Sequence, residues 1–121
     1  MSFDISFMDD DSETIQLKEK HDHKGGTYAL GGTEFACLNV TYNYSTHFYK
    51  VIQGGIRTFN QERAETIKPI LEKAIEQMSD ETANDDYWDG TEGNARKALM
   101  NLLALAELVL AEAPDAIVEV S

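Results

Sequence analysis

The chain is poor in cysteine, in basic residues, in long apolar runs and in catalytic signatures, and each shortage closes a class of explanation. Cys37 is the single cysteine of the 121 residues, so no internal disulfide can form. It reads as a buried, inert small hydrophobe. The N-terminal MSFDISFMDDD lacks the basic region and apolar core of a signal peptide. Together these give the expectation of a reducing cytosol. No apolar run approaches the roughly 18–20 residues that span a bilayer. The longest, Leu102–Ala106 with Leu108–Ala111, is broken by Glu107 and sits inside a helical pattern.

Bases are scarce: 10 Lys and Arg stand against 22 Asp and Glu, a net charge of −12. The excess is uneven, with 14 acids against 5 bases in residues 60–121 and 8 against 5 in residues 1–59. Such a field repels nucleic acid and anionic membrane and speeds encounter with basic protein surfaces. It solubilises the chain at the least; in a charge mimic, the acids would imitate the phosphates of a nucleic acid.

What is present is an ordinary globular composition, 42% apolar and 26% charged, enough for one domain with one core. Phe3, Ile5 and Phe7 alternate with Asp4 and Ser6, the period of a half-buried strand. DDDSE (9–13) is a turn, and Ile15 and Leu17 resume the alternation, so residues 3–18 predict an N-terminal hairpin. After a loop ending at Gly25–Gly26, EFACLNVTY (34–42) predicts a further strand. Its apolar residues change parity near Cys37, so a bulge or burial on both faces is expected.

From Ser45, a plausible N-cap, the period becomes helical through Phe48, Val51 and Ile52, predicting a short helix over 45–53 that stops at Gly54–Gly55. Asn60 reads as the N-cap of a helix over 61–78, in which Pro69 predicts a kink or a late start near Thr66. Thr91 caps a last helix over 92–112, the clearest element, with Ala95, Ala98, Leu99, Leu102, Leu103, Ala106 and Val109 at helical steps and Leu105 and Leu108 widening the stripe. AIVEV (116–120) is either an edge strand or a trailing end. The expected fold is therefore a single α+β domain over residues 1–121. Three to four antiparallel strands are covered by two longer helices and one short one.

Three classes of site are open. His21 and His23, with His47 elsewhere, could form a zinc site for metal-dependent hydrolysis, although H-x-H on extended backbone points its rings to opposite faces and no HExxH or CxxC accompanies it. No cofactor motif is present: GGTYALGG (25–32) leads into a strand and lacks a following Lys-Ser/Thr, and the acids of 85–92 miss the EF-hand spacing. No GxSxG elbow is present either.

The second class is a small-ligand pocket, for a nucleotide or metabolite, built from Tyr28, Asn39, Tyr42, Asn43, Tyr44 and His47. Tyrosine and asparagine together give flat apolar contact and adaptable hydrogen bonds. The third is a protein-binding surface in residues 79–92, which carry six acids, no base and the only tryptophan. There Asp85, Asp86 and Asp89 would face a basic partner, with Tyr87 and Trp88 as anchors.

The stretch GGTYALGGTEFACLNVTYNYSTHFYKVI, the helix IKPILEKA and the segment DDYWDGTEGNARKALMNLLALA resemble a family of small uncharacterised proteins encoded in bacteriophage genomes and prophages. The resemblance covers about residues 3–110, and its most distinctive parts are the glycine-rich stretch and TEGNARKAL. It implies a setting and no catalytic residue or cofactor: a small accessory protein in the cytoplasm of an infected or lysogenic bacterial cell. By analogy, small acidic phage proteins without enzymatic motifs often act as stoichiometric inhibitors of a host function or defence system.

Overall fold

A computed structural model describes residues 1–25, 32–86 and 88–121. The strands are β1 (Ser2–Met8), β2 (Gln16–His21), β3 (Thr33–Phe35), β4 (Cys37–Thr41) and β5 (Ile117–Val120). The helices are α1 (Ser45–Val51), α2 (Ala64–Glu76) and α3 (Glu92–Glu112), with single 3-10 turns at Tyr42–Tyr44 and Ile56–Phe59. The class is α+β.

Two antiparallel sheets form. In the larger, β1 lies between β4 and β5, so that Ile5 faces both Leu38 and Val120 across the ladders. Phe3, Ile5, Phe7, Leu38, Val40, Val118 and Val120 are all buried, as alternation on one face requires. Against the core pack the stripes of α2 (Ala64, Ile67, Leu71, Ala74, Ile75) and α3 (Ala95, Ala98, Leu99, Leu102, Leu105, Ala106, Val109). Each fully buried Leu or Ile contributes about 1.5–3 kcal/mol. Leu108 turns outward, 41% exposed, and widens no stripe.

The hairpin expected at the N-terminus forms only at its turn. The chain reverses through Asp9–Glu13 and makes a bridge between Met8 and Thr14. The arms then part: β1 joins β4 and β5, while β2 pairs with β3 in a second, two-stranded sheet. The long strand expected over 34–42 breaks at Ala36, where the parity changes. Ala36 is wholly buried; its N–H donates to the Ile15 carbonyl and its carbonyl accepts from the Phe7 N–H. It is the point where the chain leaves one sheet for the other.

Two caps differ from expectation. Ser45 is the first residue of α1 and caps nothing; Thr41 Oγ1 instead accepts the Asn43 N–H at the preceding 3-10 turn. Asn60 does not cap α2. Residues 60–63 are drawn onto the outer edge of β5: Gln61 N–H donates to the Val118 carbonyl, Val118 N–H to the Glu62 carbonyl, and Val120 N–H to Asn60 Oδ1 at 2.9 Å. That pairing holds the segment extended and delays α2 to Ala64. Pro69 then lies inside the helix. Of residues 116–120, Ile117–Val120 join the sheet as β5, antiparallel to β1. The paired glycines after α1 take φ of +81° and +74°, which ends that helix as expected.

Two further strands are contacted along their outer sides. Gly25 lies along the outer side of β4, its N–H on the Asn39 carbonyl and its own carbonyl taking the Thr41 N–H. On β2, the Lys18 N–H faces both carboxylate oxygens of Glu112 at 3.3 Å. No helix among the described residues is long and apolar enough to cross a membrane.

Candidate functional site

The distinctive segment before α3 is an ordered loop whose geometry explains the sequence TEGN. Thr91 Oγ1 accepts the Asn94 N–H, capping α3 as its position predicts. Glu92 reaches back to accept the Ser79 N–H at 2.6 Å. Gly93 sits so close to the loop that a Cβ there would collide with the Ala83 backbone nitrogen, and its N–H donates to Thr82 Oγ1. The Gly93, Asn94 and Ala95 N–H groups are thus taken by Thr82 and Thr91, and Glu92 sets a negative charge at the helix start where an anion would sit.

Asn94 is the bolt. It is 3% exposed. Its Oδ1 accepts the Asn84 N–H, and its Nδ2 donates to Asn84 Oδ1 and to the carbonyls of Asp86 and Asp89. Within the loop, Asp86 Oδ1 takes the Trp88 N–H and Asp89 Oδ2 takes Asn84 Nδ2. From the other side, Asn43 Nδ2 donates to the Trp88 carbonyl at 3.0 Å, and His47 Nε2 donates to the Gly90 carbonyl at 2.8 Å. The loop is therefore pinned from α3 and from the start of α1. On it Asp80, Glu81, Asp85, Asp86 and Asp89 are exposed, and Trp88 is 56% exposed. Among the described residues the ion pairs gather at Arg63, with Glu65 and Asp115, so none of these loop acids is neutralised by a salt bridge.

The residues expected to form a small-ligand pocket are dispersed. Tyr28 lies outside the described residues, as does Tyr87 of the expected partner surface. Asn39 projects from β4 onto Ser2 Oγ and Asp4 Oδ1, away from the loop. Tyr42 packs edge-on to Phe3, ring centroids 4.5 Å apart, and its hydroxyl accepts from Arg57, whose guanidinium lies over both rings. Asn43 and His47 are committed to the loop. Tyr44 and His47 each reach a cavity, but two different ones. The alternation of β4 and the turn that follows send neighbours to different faces, which composition alone does not register.

The three histidines are each bound to protein oxygens. His21 is buried; its Nε2 donates to the Phe35 carbonyl at 2.7 Å and its Nδ1 accepts the His23 N–H. His23 stacks on it, ring centroids 5.4 Å apart. Its Nδ1 meets Asn101 Oδ1 at 3.0 Å, and Asn101 Nδ2 is already donating to the Lys97 carbonyl, so the proton is on His23. Among the described residues, no group of three or more His, Cys, Asp or Glu gathers as a metal site would require. Cys37 is only half-buried. Burial first, then the nearby Asp4, pushes its thiol pKa up, which disfavours the nucleophilic thiolate.

Beside the loop is a cavity of about 170 Å³, lined by Tyr44 and Ala98, by Asn84, Asn94 and Asn101, and by Lys24, Asp85 and Lys97. Burial, then the charges of Asp86 and Asp89, pushes the Tyr44 hydroxyl up to about 12. Of these residues, only Tyr44 and Asp85 were among the site residues expected from sequence. The signal for the others was a polar spacing: Asn94, Lys97 and Asn101 fall at i, i+3 and i+7, one face of α3 cutting into its apolar stripe.

Compared with protein-family models, with curated proteins and with solved structures, the chain has no match.

Proposed function

We propose that this is a non-enzymatic binding protein that engages a basic protein surface through the loop 79–92. The observation that carries the reading is the joint state of Trp88 and its supports. A half-exposed tryptophan stands among unneutralised carboxylates on a loop bolted by Asn94, Asn43 and His47. Tryptophan, with tyrosine and arginine, is enriched among the residues that anchor interfaces. A loop ordered before binding loses less conformational entropy on association. Unpaired acids around the anchor steer a basic partner and oppose direct contact with nucleic acid.

The resemblance to phage and prophage proteins supports a setting for this binding: a small acidic accessory protein in the cytoplasm of an infected or lysogenic bacterium. A stoichiometric inhibitor of a host function or defence system would suit that setting. The other readings have less support. A metal-dependent enzyme would need His21, His23 and His47 to release the oxygens they hold and to converge. A nucleotide pocket in the 28–47 stretch has Tyr44 and His47 on separate cavities of about 170 and 250 Å³, each below the roughly 300–1,000 Å³ of pockets that enclose drug-sized ligands.

The test is capture from bacterial lysate at low and high salt with the native protein, with Trp88→Ala, and with Asp85, Asp86 and Asp89 changed together to Asn. A stoichiometric partner lost at high salt and lost by both variants supports the reading. A partner retained by both variants places recognition on another face and overturns it.

A further inference from the structure

The cavity beside the loop holds opposite charges that the protein does not pair with one another. Lys24, Lys97 and Asp85 all line it, yet neither lysine has a carboxylate within salt-bridge distance among the described residues. In a chain of net charge −12, two lysines face this one concavity. Lys97 is held in place by donating to the Asn84 carbonyl at 3.0 Å, which leaves ammonium protons for a second acceptor. Beneath these rim groups, Tyr44 and Ala98 are buried and give the floor an apolar part, while Asn84, Asn94 and Asn101 spend their amides on internal hydrogen bonds.

We propose that this cavity binds a small zwitterion, a free α-amino acid or similarly short amino-carboxylate, with its carboxylate held by Lys24 and Lys97 and its ammonium by Asp85. The size supports this class. About 170 Å³ is close to an engineered cavity that holds benzene and well below the roughly 300–1,000 Å³ of pockets that enclose drug-sized ligands. A nucleotide would project out of it. The charges support it too. A simple anion would satisfy the lysines but would face Asp85 with Asp86 and Asp89 behind Tyr44, and a simple amine would meet two lysines. A ligand with both charges meets a partner at each end. Because Tyr44 stays protonated at ordinary pH, the floor adds no charge of its own.

Asp85 belongs also to the surface proposed for a protein partner, whereas Lys24 does not, so Lys24→Met tests this proposal separately from the protein-binding reading. The experiment is a thermal melt of the full chain with each standard amino acid, and with propionate and propylamine as ligands carrying one charge each. A ligand at roughly hundredfold excess over Kd shifts the melt by several degrees. The expected result is such a shift with one or a few amino acids, none with propionate or propylamine, and loss of the shift in Lys24→Met and in Asp85→Asn. Lys24 makes no internal hydrogen bond among those described, so its variant is expected to melt like the native chain without ligand. The proposal is overturned if no amino acid shifts the melt, if propionate or propylamine shifts it equally, or if either variant keeps the shift.

Discussion

Asn84 and Asn94 hold each other reciprocally: the Asn84 N–H donates to Asn94 Oδ1 at 2.9 Å, and Asn94 Nδ2 donates back to Asn84 Oδ1 at 3.1 Å. The pair is the fastening between a helix and an acidic loop that has few apolar contacts of its own. Asn94→Ala strands the Asn84 N–H and the carbonyls of Asp86 and Asp89. Losing a buried hydrogen-bonding group costs about 1–3 kcal/mol, and urea unfolding is expected to report a loss in that range. The loop should also become the first site of proteolysis. A loss below about 0.5 kcal/mol, typical of an ordinary surface change, would show that the loop is held by something else.

Gly93 makes a sharper test of the same contact. Its Cβ position is occupied by the backbone of Ala83, not by a flexible side chain that could swing aside. Gly93→Ala therefore forces the loop off the helix, although alanine is the better helix former by about 1 kcal/mol. The expected outcome is a lowered melting temperature with α3 intact by circular dichroism. A raised one would mean that propensity outweighs the close approach.

Tyr44 fixes a pH limit. Its hydroxyl is an acid whose pKa is raised in the folded chain, from 10.0 to about 12. Below pH 10 it is protonated in both states and its contribution to stability is fully present. Between about 10 and about 12 the unfolded chain releases the proton and the folded chain keeps it, so stability falls as pH rises. Tyr44→Phe removes that component. Followed across this window, the native chain should lose stability relative to the variant as the pH climbs; parallel curves would count against a buried, protonated Tyr44.

Asn60 offers a test of how the sheet is finished. Its side-chain oxygen replaces a strand partner for the Val120 N–H. Asn60→Ala removes one hydrogen bond worth about 0.5–1.5 kcal/mol, and the Val120 amide should lose its protection from hydrogen exchange. Asn60→Asp keeps an acceptor and should preserve most of that protection. Equal protection in both variants would assign Val120 another partner.

Much of this architecture is legible residue by residue. Thr91 announces α3, the alternation of Phe3, Ile5 and Phe7 announces β1, and the parity change near Cys37 marks the break at Ala36. Those signals are local, because each arises from the chain's own period or cap. The misread positions are those where a distant segment intervenes. Asn60 has the chemistry of a helix cap, but β5, almost sixty residues later, takes it. His47 and Asn43 have the chemistry of a binding surface, but the loop at 88–90 consumes their hydrogen bonds. The cavity was hidden for the same reason: Lys24, Asn84 and Asn101 are brought together only by tertiary structure, while Asn94, Lys97 and Asn101 left a helical spacing that could have been read.

The central position of β1 has a consequence for how the protein comes into being. Its two ladder partners are β4 and β5, and the second pairing joins Ile5 to Val120. During synthesis β1 must wait, with one edge bare, until residues 117–120 have left the ribosome. The sheet therefore closes only after translation has passed residue 120. Such long-range pairing slows folding and leaves an exposed edge during the interval. A chain stopped short of β5 would keep that edge, with Phe3, Ile5 and Phe7 alternating along it, and is expected to aggregate, not to persist as a smaller soluble domain.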